Sequence, residues 1–396
     1  MSPSLVVLFL SLLLGLQPAA TDLYLPSLPT IVLELDGTLS QAQLTLSAML
    51  LMFGVSQLVW GPLSDRFGRR RILLIGVGCY AVAALGATLA HTMEMLVLWR
   101  TLQGIGIGAS VVCGRAIVRD LYTREQGARV MSKGMSGLGA IACVSAPLGG
   151  LLGVTLGWRS SLGALMILGL VTLVVVALRF QETLKHPDPL ALRPGRMARN
   201  WVDILGSRTF WTFSLLATGS YCVLFTFLAA ASFVMIDLFE LPRGVFGLLL
   251  ATMSGTYIIG TFLCRRLLKR FSLQRTIAIG GALSLAGGSA MGLLALAGLQ
   301  SPWAIMLPLY PIMLGHGIHQ PCGQTGAVSP FPRSAGVAAA LSGCVMTGAA
   351  FLTGLWLGPR MGETVFPLTQ GVWFWTIAIA AVAWIPVQRL SRAETH

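Results

Sequence analysis

Twelve apolar stretches follow one another along this chain, near residues 5–31, 43–64, 72–90, 93–114, 130–156, 159–180, 209–236, 244–268, 274–299, 303–325, 335–357 and 368–388. A membrane span needs about 20 apolar residues, each rising about 1.5 Å along a helix. Inside a bilayer no water can satisfy an open backbone, so segments of this kind fold as helices. The fold class expected is therefore an all-α polytopic membrane protein with 12 transmembrane helices. Only 10% of the 396 residues are charged, against roughly a quarter in soluble domains.

The net charge of +13 could suggest a nucleic-acid partner, but the placement of the charges argues otherwise. Twenty-two of the 27 Lys and Arg residues fall in the loops after the even-numbered spans and in the C-terminal tail. The opposite loops hold Arg159, Arg243 and Arg360, and Arg100 and Arg115 lie within or at the end of span four. By the positive-inside rule both termini are expected in the cytoplasm, in a multi-pass protein of a bacterial-type inner membrane. The basic balance is thus a topology signal, and no nucleic-acid partner is expected. The seven cysteines are scattered among the spans without CxxC spacing, which suggests neither a disulfide framework nor a zinc site. The stretch Val6 to Leu16 with Ala19-Ala20 behind it imitates a signal peptide but lacks a basic leader, so an uncleaved first helix is the expectation.

The one long polar stretch, Gln181 to Arg208, carries Pro187, Pro189, Pro194 and Gly195 among basic residues and divides the spans six and six. Three regions follow: a bundle over 1–180, a cytoplasmic linker over 181–208, and a second bundle with a short tail over 209–396. Arg66-Phe67 recurs as Arg270-Phe271 at an offset of 204, and Ser136-Gly137 as Ser342-Gly343 at an offset of 206. These echoes suggest a duplicated six-helix unit, hence two six-helix bundles related by pseudo-symmetry with a midplane binding site between them.

Gly61-Pro-Leu-Ser-Asp65-Arg66-Phe-Gly68-Arg69-Arg70-Arg71 is the most specific string in the chain. Gly61 and Gly68 would permit a tight helix-to-helix turn and close approach, and Asp65 could pair with arginines to latch the halves together. The string resembles the loop 2–3 signature of the major facilitator superfamily. In span four, Arg100-Thr-Leu-Gln103-Gly104-Ile-Gly106-Ile-Gly108 puts a cation inside a helix ahead of a small-residue stripe. It resembles the superfamily's fourth-helix motif, which the resemblance associates with proton transfer. The other reading of Arg100 is snorkelling to the headgroups from the outer end of its helix. Span five, with Gly137, Gly139 and Ala146-Pro147-Leu-Gly149-Gly150, resembles the antiporter motif of the family, with Ala146 in place of a glycine. A proline among small residues lets such a helix bend and rock against a neighbour.

Asp22-Leu-Tyr-Leu-Pro-Ser-Leu-Pro29, Val118-Arg-Asp-Leu-Tyr122 and Ser232-Phe-Val-Met-Ile-Asp-Leu-Phe239 narrow the likeness. Together they look like the bicyclomycin/chloramphenicol resistance subfamily of drug:proton antiporters, over nearly the whole chain. Asp22 itself is a carboxylate inside the first span, where ionisation costs several kcal/mol or more. It must hold a proton, pair with a cation, or meet water through a pathway, and Arg100 is the candidate partner, directly or through water. Span ten places His316, His319 and Gln320 at i, i+3 and i+4. That face could hold a second protonation or substrate site, or simple packing polarity. Two histidines without a third ligand give little support to a metal site. Tyr24, Gln103, Tyr221 and Phe225 complete the candidate lining of a substrate cavity, since polyspecific pockets favour aromatic surface.

The function expected is proton-coupled export of small hydrophobic or amphipathic compounds by alternating access. Asp22 and Arg100 would couple the proton, Gly61, Asp65, Arg66, Gly68, Arg69 and Arg70 would form the latch, and Gly137, Pro147, Gly149 and Gly150 the antiport helix. No enzyme activity, resident cofactor or metal is expected, with the proton gradient as energy source and a monomer as the unit. The chain lacks a GxxxxGK[ST] phosphate loop and an HExxH string. Two alternatives remain at this level: a transporter of nucleoside-like or amino-acid-like metabolites on the same fold, and a membrane enzyme acting on lipid-linked substrates. The scatter of the 14 acids gives the enzyme no constellation to work with.

Overall fold

The computed structural model describes residues 2–122, 124–331, 334–362 and 364–393. The first span is a single apolar rod, Pro3–Glu34, with a break in its middle. Helix α1 (Pro3–Asp22) starts on a Ser2 cap whose hydroxyl accepts from the Leu5 amide, and stops where Pro26 and Pro29 follow. Proline has no N–H to donate, so the carbonyls four residues earlier, on Asp22 and Leu25, lose their helical partners. The chain tightens into a 3₁₀ turn at Leu25–Ser27 and resumes as α2 (Leu28–Glu34). Asp22 is therefore the last residue of α1, at mid-rod.

The remaining helices are α3 (Leu39–Phe67), α4 (Arg69–Thr88), α5 (Met93–Leu121), α6 (Arg124–Thr155) and α7 (Trp158–Arg179), then α8 (Pro194–Leu205), and then α9 (Arg208–Ser232), α10 (Arg243–Leu268), α11 (Leu273–Leu296), α12 (Pro302–Val328), α13 (Ala335–Leu357), α14 (Phe366–Trp384) and α15 (Pro386–Ala393). Helix starts follow local chemistry: Thr38 and Gln41 exchange side-chain and backbone bonds at the head of α3, and Thr92, Ser272 and Ser301 cap α5, α11 and α13's neighbour α12. Eleven of the described helices are long and apolar enough to cross a membrane. The expected tenth span is α12, 27 residues long, and its histidines, glutamines and prolines take it below that apolarity. Where a linker was expected, α8 adds a two-faced helix.

Packing makes the internal repeat visible. In the first half α3 and α4 pack on α5, α1 on α5 and α6, and α4 on α7; in the second, α10 and α11 pack on α12, α9 on α12 and α13, and α11 on α14. Each contact of the first half recurs six spans later. The halves meet along α3 with α13 and α6 with α10, two seams that the same repeat exchanges. Small residues allow the close approach at these seams. Thus Gly54 lies under Thr347, Gly354 under Ser47, and Gly247 against the carbonyl of Ala146. The end of the molecule carrying Arg66 to Arg71 is called the basic end below.

Candidate functional site

Between the halves lies a cavity of about 440 Å³. Its wall is apolar and soft: Leu46, Leu50 and Phe53 from α3, Met131, Met135 and Leu138 from α6, Tyr221 and Phe225 from α9, Met253 and Tyr257 from α10, Met313 from α12 and Met346 from α13. Methionine and aromatic rings adapt to many shapes. Asp22, Arg115 and His316 are the acidic and basic side chains in that lining. At the end away from the basic cluster the cavity is shut. Gly149 abuts the Leu23 carbonyl, Gly150 abuts that of Arg243, and Gln43 donates to the Ala229 carbonyl across the halves. Toward the basic end a second cavity of about 530 Å³ begins, and Arg115 lines both.

Asp22 turns to this cavity, and its carboxylate accepts a hydrogen bond from Thr21 Oγ1 at 3.0 Å. Arg100 does not pair with it. The proline break explains why. Tyr24 N–H donates to Thr21 instead of to Ala20, which frees the Ala20 carbonyl, and Arg100 Nη2 donates to that oxygen at 2.7 Å. Arg100 Nη1 donates to Gln103 Oε1 at 2.7 Å, and the guanidinium stacks on the Tyr24 ring at 4.6 Å. Tyr24 in turn bonds Thr45 at 2.8 Å. Arg100 is fully buried, so it does not snorkel. Asp22 and Arg100 thus sit at one break in α1 but face different sides of it. Tyr24 and Gln103 belong to the arginine's cluster and not to the cavity wall.

The histidines also part company. His316 Nδ1 lies 2.8 Å from Ser220 Oγ and its ring 5.2 Å from that of Tyr257, on the cavity wall, where Gln320 joins it and donates to the Ala217 carbonyl at 2.9 Å. His319 points the other way, with Nε2 3.4 Å from the Ile277 carbonyl and packed against Gly280 of α11. One helical step of 100° separates residue 319 from residue 320. Among the described residues no group of three or more His, Cys, Asp or Glu side chains is arranged for a metal ion.

At the basic end the turn from α3 to α4 is a single residue, Gly68, with φ 94°. Arg69 is almost fully buried. Its Nε donates to Asp120 at 3.0 Å and its Nη1 to Asp65 at 2.7 Å and to Ser64 Oγ at 2.8 Å. Glu182, three residues past α7, accepts the backbone N–H of Arg69, Arg70, Thr183 and Leu184 at 2.9 to 3.0 Å. Burial opposes its ionisation, but those four donors outweigh it and hold its carboxyl below the usual range. Arg70 donates to the carbonyls of Phe180 and Ala177 that end α7, and Arg66 stacks on Phe67. These ion pairs lie within the first half. Arg119, 3.6 Å from Asp65, is the side chain that lies against Gly336 at the start of α13. Gly61 makes no close approach; a Cβ there would meet open space in the basic-end cavity. Asp120 and Glu182 were not among the sequence candidates, although Asp120 stands in the Val118–Tyr122 segment.

In α6, Gly137 lies against Ser11 of α1, and Pro147 sits within an unbroken helix, its Cα under Gly247 of α10. With Gly149 and Gly150 this puts the proline segment where α1, α6 and α10 meet.

The sequence pattern of the Major Facilitator Superfamily matches residues 10–355. The chain belongs to that superfamily. Among its relatives, an uncharacterised MFS-type transporter, YdgK of Bacillus subtilis (strain 168), is 31% identical over 95% of this chain and 94% of its own length. A bicyclomycin resistance protein homolog of Haemophilus influenzae is 28% identical over 93% and 92%, and a chloramphenicol resistance protein of Pseudomonas aeruginosa is 29% identical over 86% and 80%. The fold matches a solved D-xylose-proton symporter with a TM-score of 0.74 at 15% identity, covering 96% of both chains. A multi-pass membrane transporter accounts for the helices, the repeat and the cavity together, and no enzyme site is needed to explain them.

Proposed function

We propose that this superfamily member exports small amphipathic or hydrophobic compounds in exchange for protons. One observation carries the reading: a carboxylate, Asp22, set in the wall of a large apolar cavity between two repeat-related bundles. The names of the relatives, which speak of bicyclomycin, chloramphenicol and multidrug resistance, support drug-like cargo over the metabolite alternative. The basic end is assigned to the cytoplasm, with both termini, on the distribution of Lys and Arg.

The cycle runs as follows. In the form described, the outer end is shut and cargo enters from the basic end. A protonated Asp22 is neutral and costs little in the apolar wall; cargo occupying that wall displaces the proton to solvent. Arg100 acts at one remove, fixing the Ala20 carbonyl and therefore the break that aims Asp22. The halves then rock about the α3–α13 and α6–α10 seams and expose the cavity outside, where a proton reclaims Asp22 and releases the cargo. No resident cofactor enters the cycle, and the proton gradient supplies the energy. Proteoliposomes test it: Asp22→Asn should lose uptake driven by a pH gradient while still binding cargo. Uptake that survives in that variant would remove Asp22 from the cycle.

A further inference from the structure

Arg115 has no part in the cycle above, and its surroundings give it one. It stands on α5 about 22 Å further toward the basic end than Arg100, at 1.5 Å per residue, and it lines the neck between the two cavities. Among the described contacts its guanidinium has no carboxylate, carbonyl or ring partner, whereas Arg69, Arg70, Arg100 and Arg119 all have one. Topology alone does not explain it, because a residue that only marks the cytoplasmic side would face headgroups. The other charged residues around the basic-end cavity are Asp65, already shared by Arg69 and Arg119, Arg119 itself, and Asp188, engaged with the backbone of Leu190.

A second unmet group shares this cavity. Gln57 of α3 is 2% exposed; its Nε2 donates to the Phe53 carbonyl at 3.1 Å, and its Oε1, buried in the cavity wall, has no partner. The basic-end cavity therefore has a forked cation at its neck and an unmet acceptor oxygen buried in its wall. A guanidinium matches a carboxylate through two parallel N–H donors, and an amide oxygen accepts an N–H. Beyond them lies the methionine and aromatic wall.

We propose that Arg115 and Gln57 form a recognition point for amphipathic carboxylates bearing an N–H beside the acid, such as N-aryl-sulfonyl or N-acyl amino acids. This rests on the exporter reading above and names a cargo class for the same cavity.

A matched pair of fluorescent probes tests the proposal: dansylglycine, which has the carboxylate, and dansylglycinamide, which has the same body and N–H but no charge. Binding is read from dansyl emission on the purified full-length protein in a nonionic detergent. Wild type should bind the carboxylate at least about tenfold more tightly. Arg115→Gln should abolish that preference while binding the amide as before, which also shows that the variant folds. Arg115→Lys should keep part of the preference, and Gln57→Leu should weaken both probes alike. Equal binding of the two probes by wild type, or a preference that survives Arg115→Gln, overturns the proposal and leaves the exporter reading standing. Failure of both probes to bind wild type also overturns the proposal, while the exporter reading falls only if Asp22→Asn keeps uptake driven by a pH gradient.

Discussion

Arg69 occupies the most demanding position at the basic end: a guanidinium out of water, held by Asp120, Asp65 and Ser64. Removing one member of such a buried set leaves charges uncompensated, at about 3 kcal/mol or more. Arg69→Ala should lower the Tm of the purified protein accordingly, and Arg69→Lys should recover only part, because an ammonium cannot reach three acceptors in the guanidinium's geometry. Gly68 is as constrained. Its φ of 94° and ψ of 155° fall where only glycine sits without strain, and a Cβ would come 2.5 Å from Glu182 Oε2. Gly68→Ala should cost about 1 to 3 kcal/mol and loosen the four-donor cradle of Glu182. Since that cradle depresses the Glu182 carboxyl below its usual 4.5, its contribution to stability is fully present above that pH and is lost only as pH falls through the lower folded value. Thermal stability should therefore be flat in this respect from about pH 5.5 to 8, and Glu182→Gln should flatten the acid limb.

Among the elements, α6 and α10 close the cavity at the end opposite the basic cluster, the outer end of the proposed cycle. Gly150 abuts the Arg243 carbonyl and Gly247 the Ala146 carbonyl, both closer than a side chain tolerates. Gly247→Leu should fold, because its helix loses no hydrogen bond, but hold the outer end open. Spin labels on the outer ends of these two helices should then report a longer mean distance, and transport should stop. Helix α12 supplies a contrast between its two histidines. His316→Ala should weaken cargo binding severalfold, whereas His319→Ala should act on stability, through the void left beside Ile277 and Gly280. The period of the sequence put residues 316, 319 and 320 on one face; which of them meets the cavity was decided by where α9 and α11 pack, and that is long-range information. Likewise the first span was expected as one helix; the structure breaks it after Asp22, and the break frees the Ala20 carbonyl for Arg100 and so parts the arginine from the acid.

At the scale of the whole molecule much was legible. Twelve apolar segments and a basic loop after every even span follow from solvation physics that acts locally, two echoes six spans apart pointed to a duplication, and the seams α3–α13 and α6–α10 realise the repeat. What stayed hidden were residues brought from distant segments to one point: Glu182 under the α4 amides, Asp120 beside Arg69, and Arg115 in the neck. The central claim concerns one of the legible residues. It is tested most directly by measuring proton release, with a pH indicator in weak buffer, when chloramphenicol or tetraphenylphosphonium is added to the purified protein. The account predicts close to one proton per bound cargo for wild type and none for Asp22→Asn at equal occupancy. Undiminished release from Asp22→Asn would contradict it.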